Sequence, residues 1–353
     1  MLFNYEYKLT LSDENLESYS YFEQNKFCPI CLSTKYEKSK SNYKNVYTEL
    51  ISNYLNFDED TLIEFASSHI CSNCKAYYWG NQISAKLRIN LYNKILPTHP
   101  KGIDSTGKFF SIKGLKEKIH GIEDSSPQKI RIMDGYMSSF EFESDYEKEI
   151  CKSALKNLNN KKNISILEKF FNRGPKSFSR HAGFRNTFLN DYIIKYFEEK
   201  NEINFNYIEY GCPCWGPLST FVRSKYKCLS IIPKNSIFWS NYSNDYYDFS
   251  NLSTVNESDL NNKIENLKGA SLGLILILDH IENPISFLKK FINYGIKSIS
   301  IIVEKIETKK GLPIQHLTGW NKESLIYLAQ SLNLNIKYLN HNHKSYLFAV
   351  FEL

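Results

Sequence analysis

Two cysteine pairs carry the clearest chemistry in this chain: Cys28-Pro29-Ile30-Cys31 and Cys71-Ser72-Asn73-Cys74. A C-x-x-C pair places two thiolates on one tight knuckle, and two knuckles brought together make the tetrahedral sulfur cage that zinc accepts. Four protein ligands leave no coordination position for water or substrate, so zinc held there is structural. Unligated cysteines are the competing reading. A redox role is set aside, because neither pair sits in a strand-to-helix turn of thioredoxin type. His69 lies two residues before Cys71 and is read as a bystander to the cage.

A second group of reactive side chains lies far along the chain. Asp279 and His280 close an apolar run, and His316 sits in a loop ahead of Trp320. An imidazole titrates near neutrality, so each histidine suits a proton acceptor or an orienting hydrogen-bond partner. A histidine that only hydrogen-bonds to backbone is the alternative at both positions. Upstream, Glu209 and Tyr210 lead into Gly211-Cys212-Pro213-Cys214-Trp215-Gly216. Gly211 permits a sharp turn without a side-chain clash, and Gly216 lets backbone approach a ligand or the next helix. Cys212 and Cys214 make only two ligands with no partner nearby, so backbone geometry is the simpler reason for that motif.

These residues need elements to position them. From residue 204 the pattern alternates strand and helix. Strands are predicted at 205–210, 227–232, 272–278, 298–303, 336–339 and 346–351. Helices are predicted at 217–224, after Asn283-Pro284 with Ile285, Leu288, Phe291 and Ile292 inward, and after Asn321 as N-cap with Leu325, Leu328, Ala329 and Leu332 inward. This is an α/β, Rossmann-like, doubly wound pattern with an antiparallel last strand. In such a sheet, ligands bind at the carboxyl ends of the strands where strand order reverses.

The rest of the chain divides in two. Residues 1–96 form the cysteine module, with one or two helices within 48–63, an aromatic wall at Tyr77-Tyr78-Trp79 and a helix over 84–95. Residues 97–203 form a mostly helical middle region. It has loops at 97–106 and 121–128, a helix from Tyr146 with Ile150, Ala154, Leu155 and Leu158 on one face, and a longer helix around 188–197. The basic, aromatic stretch 170–183 reads as a loop, or as a lid for the next domain.

Composition bounds the partners. The 353 residues carry 44 basic and 38 acidic side chains, a net charge of +6 spread along the chain rather than gathered on a patch. Nucleic acid is therefore not expected as a partner. No run approaches the ~20 apolar residues of a membrane helix, and no basic segment with an apolar run after it marks a signal peptide. A soluble cytoplasmic protein is expected.

Three segments resemble class I S-adenosylmethionine-dependent methyltransferases. Ile208-Glu209-Tyr210-Gly211-Cys212 resembles their first motif, and 276–284, Leu-Ile-Leu-Asp-His-Ile-Glu-Asn-Pro, is similar to the segment ending their fourth strand. Pro313-Ile314-Gln315-His316-Leu317 with Trp320 looks like their late histidine loop. A cysteine-pair module ahead of such a domain occurs in enzymes resembling sugar C-methyltransferases. The resemblance implies S-adenosylmethionine as cofactor, held by Glu209, Tyr210, Gly211, Cys212, Gly216 and Asp279. It implies a small-molecule or glycan acceptor, and His280 or His316 as the base or orienting group. Two features depart from the pattern: Pro213 stands where a glycine is usual, and the second strand ends Ile231-Ile232-Pro233 without an acid for the cofactor ribose. A non-catalytic binding protein of the same fold and an RNA methyltransferase are the alternative functions.

Overall fold

The computed structural model describes residues 21–39, 43–91, 144–173, 206–211, 227–232, 252–306, 311–343 and 345–353, with isolated positions at 115–142 and 193–199. The expected turn through Cys212 to Gly216, the helix at 217–224 and the loop at 97–106 lie outside the described residues, as does 174–183 of the loop expected at 170–183, whose first four residues are helical.

The cysteine module begins with two short strands, β1 (Phe22–Gln24) and β2 (Tyr36–Lys38). Helices α1 (Val46–Leu55) and α2 (Glu59–Ala66) fill the gap between the cysteine pairs. Asn45 starts α1 with a reciprocal cap: its side chain accepts from the Thr48 backbone N–H, and Thr48 Oγ1 accepts from the Asn45 backbone N–H. Asp58 caps α2 through the Thr61 N–H. Then come β3 (Ser68–Cys71), β4 (Tyr77–Trp79), β5 (Asn81–Ile83) and α3 (Ala85–Asn90), the last capped by Ser84. The middle region contributes α4 (Asp145–Leu155) and α5 (Lys161–Arg173), which share a small core of Cys151, Ala154, Leu155, Leu158 and Leu167 with Leu115, Ile119 and Met137.

The C-terminal part holds β6 (Asn206–Tyr210), β7 (Lys227–Ile232), β8 (Leu252–Asn256), a 3₁₀ segment (Glu257–Asn266) and β9 (Ser271–Ile275). After a short 3₁₀ turn (Leu278–His280) follow α6 (Pro284–Asn293), β10 (Ser298–Glu304), β11 (Thr318–Gly319), α7 (Lys322–Ser331), β12 (Asn335–Asn340) and β13 (Tyr346–Glu352). The large sheet runs β12-β13-β10-β9-β6-β7-β8. The five strands from β10 to β8 are parallel, and β13 is antiparallel to both of its neighbours. Side chains alternate between its two faces. Ile208, Leu272, Leu274, Ile299 and Ile301 pack with Leu288 and Phe291 of α6 and Leu325, Leu328 and Ala329 of α7. Tyr207, Cys228, Ile275, Ile302 and Phe348 face Ile193, Ile194 and Phe197 on the other side. Apolar cover on both faces is what a parallel sheet requires, and the architecture is α/β and Rossmann-like.

Three expectations are corrected. The apolar run at 272–278 is not one strand: β9 ends at Ile275, and Leu276 takes a left-handed backbone (φ 54°) while its N–H donates to the Ile302 carbonyl. Strand β8 was not predicted, since Leu-Ser-Thr-Val-Asn is short and largely polar, as an edge strand can be. Nor was β11. It leaves the large sheet and pairs antiparallel with β4, Thr318 against Tyr78 and Gly319 against Tyr77, so the module's sheet reads β11-β4-β3-β2.

Candidate functional site

The chain leaves the sheet centre in both directions from the neighbouring strands β6 and β9. The crevice between their carboxyl ends is thus the place where a doubly wound sheet receives a ligand. On the β6 side, Gly211 adopts φ 111°, and its N–H donates to the Ile231 carbonyl at 3.0 Å. A Cβ there would sit 3.3 Å from Ile277 Cγ1. Glycine therefore meets two needs at once, a left-handed turn and close approach to the segment after β9.

On the β9 side, Asp279, His280 and His316 converge. The 3₁₀ turn is closed by the His280 N–H on the Ile277 carbonyl, and the Asp279 carbonyl accepts the Leu317 N–H at 2.8 Å, which docks the histidine loop onto the turn. His316 Nε2 lies 3.1 Å from Asp279 Oδ2, and His280 Nε2 lies 4.0 Å from Asp279 Oδ1. The imidazoles meet edge to face with centroids 4.8 Å apart. Asp279 and His316 are buried, whereas His280 keeps 21% of its side chain exposed. Burial pushes His280 down to about 4, opposed by the Asp279 charge and reinforced by His316 and Arg88, so the ring is neutral at physiological pH. Asp279 Oδ1 and His316 Nδ1 are buried without a hydrogen-bond partner among the described residues.

The other candidate residues at β6 sit deeper. Tyr210 is a core residue: its hydroxyl donates to Glu257 Oε2 at 2.8 Å and its ring meets Phe287 edge-on. Glu209 is buried on the opposite sheet face, where its charge adds to burial in raising the Tyr207 hydroxyl and the Cys228 thiol, the latter to about 12. Cys212 and Gly216 lie outside the described residues.

The four N-terminal cysteines form a separate cluster, with all four Sγ atoms within 4.8 Å of one another. Cys28 and Cys74 are 3.5 Å apart, and Cys31 and Cys71 3.3 Å. Zinc–sulfur bonds of about 2.3 Å in a tetrahedron put sulfurs about 3.8 Å apart, so the donor set fits zinc with small adjustments. The two knuckles repeat one geometry. Leu32 and Lys75, each just after a second cysteine, are left-handed (φ 57° and 61°) and donate their N–H to the carbonyls of Cys28 and Cys71. The pairing with Cys74 holds the Cys28 thiol down to about 6, whereas burial lifts Cys71 to about 11, and Cys74 is raised by its bond to Cys28. Without a cation, one thiolate forms at the expense of its neighbours. His69 lies outside the cluster; it stacks on Tyr36.

Contacts between the two clusters escaped sequence reasoning. Trp79 Nε1–H donates to the Pro313 carbonyl, Asn45 Nδ2–H to Gln315 Oε1, and Asn321 Nδ2–H to the Lys75 carbonyl. Arg88 of α3 pairs with Glu282, just ahead of α6. Partners more than 190 residues apart leave no local pattern to read.

No family model and no curated protein matches the sequence. Among solved structures, the chain is similar to a SAM dependent methyltransferase from Aquifex aeolicus, at 13% identity over 46% of this chain and 88% of that one, with a TM-score of 0.35. It is similar to TnmH at 14% identity over 59% and 69% of the two chains, TM-score 0.38. The 16S rRNA methylase ArmA matches at 12% identity over 53% and 96%, TM-score 0.36.

Proposed function

We propose that this protein is an S-adenosylmethionine-dependent methyltransferase acting on a small-molecule or glycan acceptor, with a structural zinc ion in the four-cysteine cage. The observation that carries the reading is the convergence of Asp279, His280 and His316 beside the Gly211 turn, at the switch point of a Rossmann-like sheet. The Gly211 turn would lie under the cofactor, with Asp279 at its edge and Tyr210 packed behind the turn. The cofactor supplies an already activated methyl group, so the protein has to align an acceptor and take up its proton. Asp279 facing His316 Nε2 favours the tautomer protonated there. That leaves the partnerless Nδ1 as the proton acceptor. His280, neutral and nearer solvent, orients the acceptor.

Titration calorimetry of the zinc-loaded chain with S-adenosylmethionine and its demethylated product tests the reading; failure of folded protein to bind either one sinks it. One observation favours a second reading, a non-catalytic binding protein of the same fold: β7 ends at Ile231-Ile232 with no carboxylate for a ribose. That reading expects no heat from either compound.

A further inference from the structure

We infer that Asp279, His280 and His316 form a second metal site, distinct from the cysteine cage, that takes a divalent first-row cation on one carboxylate and two imidazoles. One donor atom from each of the three residues falls within a 4.8 Å span. Neighbouring ligands of a cation bound at about 2.1 Å lie about 3.0–3.4 Å apart. The Asp279–His316 separation of 3.1 Å already meets this, and His280, at 4.0 Å, closes the set by a small ring movement that its partial exposure permits.

The electrostatics of the cluster ask for a cation. Asp279 is 2% exposed, and among the described residues its ion-pair partners are these two histidines alone. Arg88, whose charge is felt at His280, is engaged by Glu282. Leaving a buried polar atom unsatisfied costs about 1–3 kcal/mol, and more when the group is charged. One such atom, Asp279 Oδ1, lies in this cluster, 4.0 Å from His280 Nε2. A metal ion held between Asp279, His280 and His316 Nε2 would satisfy that carboxylate oxygen. The frame is rigid, as metal binding prefers: the Leu317 N–H holds the Asp279 carbonyl, the His316 N–H holds Pro313, and β11 is fixed to β4.

Two nitrogens and one carboxylate suit manganese, iron, cobalt or zinc better than magnesium or calcium, and they leave coordination positions open for a ligand with paired oxygens. A hydroxyl bound to such a cation loses its proton to water more readily. In that state the imidazoles act as ligands rather than as the base. The inference does not rest on the methyltransferase reading, since the cluster stands on its own geometry.

The test is a titration of the full chain, zinc-loaded in the cage, with Mn2+ followed by electron paramagnetic resonance; this hard ion does not displace zinc from thiolates. One bound Mn2+ per chain is expected, weakened at least tenfold in His280→Gln and in Asp279→Asn. Should Asp279→Asn unfold, the partly exposed His280→Gln decides the matter, provided its melting temperature and cage zinc are unchanged. Folded wild-type protein that retains neither Mn2+ nor Co2+, or binding undiminished in His280→Gln, overturns the inference. Calorimetry with S-adenosylmethionine on the same sample separates the two claims. Cofactor binding without Mn2+ removes the metal site alone, and Mn2+ without cofactor binding removes the methyltransferase reading alone.

Discussion

Gly319→Ala tests the junction that carries His316. Gly319 pairs with Tyr77 across β11 and β4, three residues beyond His316. A Cβ there would lie 2.5 Å from Ile306 Cγ1, 2.8 Å from Leu312 Cδ1 and 3.0 Å from Tyr77 Cβ. Ordinary carbon contacts are about 3.5–4.0 Å. All three neighbours are buried and come from three separate segments, so no single side-chain rotation relieves the crowding. Overpacking of this kind costs about 1–3 kcal/mol. Loss of glycine's freedom in the unfolded chain offsets about 0.4–1 kcal/mol of it, leaving about 1–2 kcal/mol of destabilisation. The assay is urea unfolding of wild type and variant, comparing midpoints at unchanged slope. Gly269→Ala is the comparison: its backbone is left-handed (φ 71°) but nothing lies within 4 Å of an added Cβ, so its cost is backbone strain alone. If Gly319→Ala shifts stability by less than about 0.5 kcal/mol, β11 is not packed between Tyr77, Ile306 and Leu312 as described, and the coupling of the module to His316 falls with it.

Three further outcomes follow from the same structure. Stripping the proposed zinc with a chelator, or Cys71→Ser, is expected to unfold the module, because structural zinc contributes about 10–16 kcal/mol at pH 7; limited proteolysis with mass spectrometry should then find new cleavage within 311–320, and an unchanged digest would refute it. His69 is buried and pushed down to about 4 from an ordinary 6.5, so folding favours its neutral form; this contribution is complete above pH 6.5 and is lost as pH falls toward 4, by up to about 3 kcal/mol. Urea unfolding at pH 7 and pH 4.5 should therefore show a smaller acid loss in His69→Gln than in wild type. Gly273→Ala would drive a Cβ into the Tyr207 hydroxyl and within 2.6 Å of its Cζ, so about 1–3 kcal/mol should be lost, and Tyr207→Phe should restore only part of it because the ring carbon still collides.

The features legible in the sequence were those with a local physical cause. Asn283 and Asn321 sit as N-caps because their side chains meet the N–H groups of Ser286 and Ser324, three residues on. The two C-x-x-C knuckles follow from spacing alone. Parallel strands buried on both faces show themselves as apolar runs, as in the 272–275 part of β9. That same cue ran too far past Ile275, because a left-handed Leu276 looks like any other leucine in a hydrophobic stretch. Strand β8 was hidden by its polar composition, and β11 by its length of two residues. Asp279, His280 and His316 could each be named, yet their meeting could not, since it depends on the Leu317 N–H reaching the Asp279 carbonyl.

The segment around His316 is gripped from two sides, and this joins the two clusters into one device. The sheet side holds it through the Leu317 bond to Asp279. The cysteine module holds it through β11 on β4, through Trp79 and Asn45, and by burying Leu312 and Ile314 in its own core. Each of those two side chains is worth about 1.5–3 kcal/mol when fully buried. Each hydrogen bond adds about 0.5–1.5 kcal/mol. The module thus shares with the sheet side, which also holds Trp320 through the Ile306 N–H, the task of keeping His316 against Asp279. The knuckle residues Cys28, Cys71 and Cys74 pack in the same core as Trp320, at the end of that segment, and Leu325 of α7. An ion in the cage would therefore govern the geometry of the histidine cluster without touching it, by deciding whether β4 is there to hold β11.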